Sequence, residues 1–140
     1  VEIPFVLEPQ ALDAARKLPQ GSYVLEADFF LMPGAFRDHG ERPYFAFMLM
    51  AVETQRGMVM GNEMLTPFPS ASTMHAQLAD LLLQLIMRAG ALPTGIRVRS
   101  DVLHSAVKTL ARELRFKTKH TPDLPYLDQA QRSLLSFLRR

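Results

Sequence analysis

The chain has no cysteine, so neither a disulfide framework nor a thiolate zinc site can be built from it. It has no long apolar run either. The longest, residues 44–52, falls far short of the roughly 20 residues that a membrane-crossing helix needs. The histidines, His39, His75, His104 and His120, show no HxxxH or comparable ligand spacing, which argues against a histidine metal site. Glycine-rich phosphate loops of the GxGxxG or P-loop kind are missing, and no serine stands in a nucleophile elbow. Charged residues are limited to 21% and mean hydropathy is near zero, which excludes a disordered polyampholyte. No secretory signal pattern stands near Val1, and with the absent cysteines the expected location is cytoplasmic, with no membrane partner.

What is present is enough for a core. A chain of 140 residues, 48% of them hydrophobic, is most simply one domain, residues 1–140. Residues 1–21 read as an extended segment and a short helix at 11–18, ended by Pro19 and Gly21, and residues 22–140 as the folded core. Charge is unevenly spread. From Arg97 onward ten Lys and Arg face four acids, whereas the preceding part carries six bases and ten acids. A basic half is either an electrostatic footprint for phosphate backbones or a set of solvated helix faces.

Hydrophobic period then orders the elements. "SYVLEADFFLM" is apolar on both faces yet places Glu26 and Asp28 on one of them, as in a buried strand carrying two carboxylates. "YFAFMLMAVE" and "MVMGNEML" read as two more strands, joined by "TQRG" with Gly57 available for a positive φ. "PGAFRDHGERP" between the first two is a loop. A helix follows, capped by Ser70 or Ser72 and carrying Met74, Leu78, Leu81, Leu82, Leu85 and Ala89 on one stripe up to Gly90. "IRVRS" is a short strand, and the next helix buries Leu103, Val107, Leu110 and Leu114. "FKTKH" is an edge strand with alternating Lys117 and Lys119. The last helix, from about Tyr126, carries Leu127, Ala130, Leu134 and Phe137 or Leu138. A meander followed by βα units predicts an α/β fold with a mixed five-stranded sheet and helices packed on it.

Three acids invite a functional reading. Asp28 lies in a strand apolar on both faces, where an acid is costly unless paired or coordinated; Arg97 and Arg99 are candidate partners. Asp101 stands where "GIRVRS" gives way to a helix, the position of an N-cap and equally of a ligand. Asp128 falls in the first turn of the last helix, where the helix dipole favours an acid in any case. Arg97, Arg99, Lys117 and Lys119, on two short strands, form a candidate basic strip for a nucleic-acid backbone or a protected sheet edge.

This order, with an acid in the middle of the first strand and another ending the fourth, resembles the ribonuclease H-like superfamily, to which retroviral-type integrases and DDE transposases belong. "FMLMAVETQRGMVMGNEML" is similar to the integrase hairpin and "GIRVRSDVLHSAVKTLARELRFKTKH" to the strand–Asp–helix–strand segment that follows it. The layout is also similar to that of uncharacterised bacterial domains of unknown function. The resemblance implies that the first and fourth strands are neighbours. It further implies that Asp28, Asp101 and Asp128 match the acids that hold two Mg²⁺ or Mn²⁺ ions about 3.5–4 Å apart for phosphodiester chemistry. The chain departs from the pattern where a glutamate is expected early in the first core helix, since Thr73, Met74 and His75 stand there. It departs again in offering Asp128 where a longer glutamate sits deeper in the helix. Three readings follow: a catalytically degenerate structural or binding module of a larger protein, with neighbouring domains as partners; a divalent-metal-dependent nuclease or strand-transfer domain; or a protein- or small-molecule-binding homo-oligomeric domain unrelated to nucleic acid.

Overall fold

The computed structural model describes residues 4–34 and 45–138. His39 and most of the loop expected after the first strand lie outside the described residues. The chain runs α1 (Pro9–Arg16), β1 (Val24–Leu31), β2 (Phe47–Glu53), β3 (Val59–Leu65), α2 (Ala71–Ala76), α3 (Leu78–Ala89), β4 (Gly95–Val98), α4 (Asp101–Glu113), β5 (Lys117–His120) and α5 (Pro125–Leu138). The strands form one sheet in the order β3-β2-β1-β4-β5. β1 is antiparallel to β2 and β2 to β3, while β4 runs parallel to both β1 and β5. The expected adjacency of the first and fourth strands is therefore found.

The pleat sorts the sheet into two faces. Leu25, Ala27 and Phe29 of β1, with Leu49, Ala51, Ile96 and Val98, face one large cluster that includes Leu78, Leu82, Leu83, Ile86, Leu103, Val107 and Leu110 from α3 and α4. The opposite face carries a smaller cluster of Met48, Met50 and Val52 under Leu124 and Leu127, with α5 packed over β1 and β2. β1 is apolar on both faces because it is covered on both.

Two details depart from the sequence expectation. The long helix before Gly90 is broken at Gln77, which ends α2 and precedes α3. The Gln77 N–H closes a tight turn onto the Met74 carbonyl, while its side-chain amide donates to the Thr73 carbonyl. The side chain thus takes up the acceptor that a continuous helix would offer to the backbone. At the end of α5, Phe137 and Leu138 are exposed rather than core-facing, so the apolar seam ends at Leu134 and Leu135.

Candidate functional site

β1 presents two carboxylates to the α5 side. Glu26 is fully buried and Asp28 is 6% exposed. Each is answered from β4, because the parallel register puts Arg97 directly opposite Glu26 and Arg99 two residues further along the same face. Arg97 Nη1 donates to Glu26 Oε2 at 3.1 Å. The other oxygen, Oε1, accepts the N–H groups of Tyr126 at 2.8 Å and Leu127 at 2.9 Å. Helix α5 starts on Pro125, which has no N–H, so its next two amides are satisfied by an acid reaching across from β1. Glu26 therefore ties the first strand, the fourth strand and the last helix together.

Asp28 uses one oxygen locally and one across the sheet. Oδ1 accepts the Phe29 N–H at 2.9 Å. Oδ2 accepts from Arg99 Nε at 3.1 Å and Nη2 at 2.9 Å. The same Nη2 donates to Asp128 Oδ1 at 2.9 Å, and Nη1 reaches the Pro122 carbonyl at 3.3 Å. The guanidinium is thus clamped between the acid of the first strand and the acid of the last helix. The hydrogen bond that Arg99 donates to Asp128 is foremost in holding the proton on Arg99 more tightly than usual; burial opposes it and Asp28 adds to it.

Asp101 stands apart from this group. Its carboxylate is 95% exposed and lies 3.1 Å from His120 Nε2. The His120 ring stacks on His104 of α4 with centroids 4.4 Å apart, on the other side of the sheet from α5. Burial first, then the charge of His120 and Lys108, lowers the His104 pKa, against the pull of Asp101. Asp101 is not the N-cap of its helix. That place belongs to Ser100, whose Oγ accepts the Leu103 N–H at 3.3 Å; Asp101 is the first helical residue, already past the point where a side chain can fold back as a cap. Among the described residues, no three His, Asp or Glu side chains are grouped so that they could hold a metal ion.

The basic strip is partly assembled. Arg97 pairs with Lys119 across β4 and β5, and Lys117 lies opposite Gly95. Together with Arg115 they line an open cleft of about 900 Å³, to which Val24 and Phe116 also contribute. Arg99 is not part of that cleft, being committed to the two aspartates.

Two structural acids were missed in the sequence in part or whole. The sequence sets Glu26 beside Asp28 on one face of its strand, but the hold on α5 spans a hundred residues and leaves no local pattern. Glu53 ends β2 and accepts the N–H groups of Gln55, Arg56 and Met58, closing the hairpin turn. Burial would raise its pKa, but those three N–H groups and the Arg56 charge bring it below the usual value.

Fold and side chains define an α/β domain with a mixed five-stranded sheet, a buried acid–arginine network on one face and a basic cleft beside it. The chain belongs to the family described as Domain of unknown function (DUF6930), which matches residues 11–135. No curated protein matches it. Among solved structures it is similar to the crystal structure of the Mos1 strand transfer complex, with 13% identity and a TM-score of 0.44. The similarity covers 86% of this chain and 44% of that one, so the chain spans less than half the length of the protein it matches. No helix among the described residues is long and apolar enough to cross a membrane.

Proposed function

We propose that this chain is a non-catalytic structural or binding module with a ribonuclease H-like layout. The strand order β3-β2-β1-β4-β5, with Asp28 inside β1 and β4 beside it, supports the layout. The observation that carries the functional reading is the position of Arg99. Its guanidinium takes Asp28 Oδ2 and Asp128 Oδ1, the oxygens that a Mg²⁺ or Mn²⁺ ion between those acids would need. The positive charge that balances the buried carboxylate is already supplied by the chain. Asp101, the third acid of the expected set, stands apart from the other two, its exposed carboxylate beside His120 rather than beside Asp28 and Asp128. As the side chains stand, they do not fit a two-cation site.

The basic cleft favours polyanion binding as the module's activity. Arg97, Arg115, Lys117 and Lys119 line one surface beside an aromatic ring, a combination suited to a phosphate backbone held without base-specific contacts.

The test is a Mn²⁺ titration by calorimetry, with thermal melts of the native protein and of Asp28→Asn. The expected result is no saturable heat and no Mn²⁺-dependent rise in melting temperature. A saturable shift in the native protein that Asp28→Asn removes would restore the metal-dependent reading.

A further inference from the structure

The two edges of the sheet are built differently. β5 is four residues long, and exposed Lys117 and Lys119 guard it against pairing with another strand. β3, at the other edge, runs for seven residues, VMGNEML, without a lysine, arginine or proline. Its surroundings are apolar on the α5 side: Val59 and Met64 are exposed, and Phe137, 67% exposed, shares a groove with Val59 and Asn62. The ladder to β2 shifts register between Val59 and Gly61, and from Gly61 to Leu65 the edge is regular and free of lysine, arginine and proline, a template for strand addition.

Charge specifies what fits it. Gly61 and Glu63 pair with Ala51 and Leu49, so both lie on the α3 side of β3. Arg88 of α3 reaches over Gly61: a Cβ placed there would be 3.6 Å from Arg88 Nη2 and 2.9 Å from Leu85 Cδ1. The missing side chain makes room for Leu85, and the guanidinium lies in ordinary contact distance of the same point on the edge. Among the described residues, neither Glu63 nor Arg88 has a hydrogen-bonding or ionic partner.

We propose that β3 pairs antiparallel with β3 of a second copy of this chain, about a two-fold axis at Asn62. In that register Glu63 of each copy lies opposite Gly61 of the other, on the side where Arg88 sits, so two acid–base pairs form by symmetry. Shifting the axis to Glu63 would set the two acids against each other, and like charges directly opposite are unfavourable. The resulting sheet is continuous through ten strands, and exposed Val59, Met64 and Phe137 of both copies gather beside the axis.

Sedimentation analysis over roughly two decades of micromolar concentration tests this on the whole chain. The native protein is expected to show a monomer–dimer equilibrium. Glu63→Arg or Arg88→Glu alone should weaken it about tenfold or more, and the two together should restore it to within about threefold. Both side chains are unpartnered, so the variants should keep the native melt. If either fails to fold, Met64→Lys gives the same reading from the other face and should abolish the dimer. A monomer at every concentration, a dimer indifferent to the single reversals, or one weakened by both and not restored by the pair would each overturn the proposal.

Discussion

Arg99 donates twice to Asp28, through Nε at 3.1 Å and Nη2 at 2.9 Å, and both bonds end on the same oxygen, Oδ2. Since Asp28 is nearly buried and its other oxygen is held by the Phe29 N–H, the guanidinium is what makes an acid tolerable inside β1. Arg99→Met should therefore strand a carboxylate. The expected loss is about 1–3 kcal/mol, below that of a fully buried pair because Arg99 is itself partly exposed. Adding Asp28→Asn to that variant should recover part of the loss. Denaturant melts of the two single variants and the pair read the coupling directly.

Glu26 should matter at least as much. Its removal leaves the Tyr126 and Leu127 amides without their acceptor and Arg97 without its acid. Glu26→Ala is expected to cost about 2–4 kcal/mol. Hydrogen exchange should show protection falling first in α5 and spreading later to β1. Uniform exchange loss across the sheet would mean that Glu26 does not hold the helix in particular.

At the start of α4 the roles of neighbouring residues separate cleanly. Ser100 caps the helix, so Ser100→Ala should cost about 0.5–2 kcal/mol. Asp101→Asn and Asp101→Ala should each change stability by only a few tenths of a kcal/mol, since its carboxylate is almost wholly exposed. A cost for Asp101→Ala as large as that for Ser100→Ala would assign the cap to the wrong residue.

Stability should fall on acidification in two steps of the same sign. The His104 pKa is lowered in the fold, so its contribution is intact above the ordinary value of 6.5 and is lost as pH drops through the lower folded value. The Glu53 pKa is also lowered, so its contribution is present above 4.5 and disappears as pH falls through its folded value. Melts as a function of pH should show the first step abolished in His104→Asn and the second in Glu53→Gln.

Binding of a nucleic-acid backbone by the basic cleft should be weak and strongly salt-dependent, because each neutralised phosphate releases counterions. Lys117→Ala with Lys119→Ala should flatten the slope of affinity against salt by about one to two charges. Arg97 is a poorer test, since it also holds Glu26. Absence of binding at low ionic strength would leave the cleft with another ligand.

The strands and helices were legible because each carries its period in consecutive residues. β1 and β2 read as buried on both faces, the helix stripe through Leu78, Leu82 and Leu85 reached the core, and the turn at Gly57 has the positive φ expected of it. The pairing of Glu26 and Asp28 with Arg97 and Arg99 was also foreseeable, since two acids and two arginines at matching i, i+2 spacing meet once the strands are neighbours. What the local pattern could not settle was where each charge goes. Ser100 and Asp101 are both good capping residues, and only the backbone angle at the junction chooses between them. Asp128 looked like a helix-dipole acid or a ligand. It became one side of a clamp because α5 lands on β1, a placement set by burial of Leu124 and Leu127 against Met48, Met50 and Val52. Composition and period act over a few residues and decide the elements. The charge network depends on which elements touch, and the packing of distant apolar faces decides that.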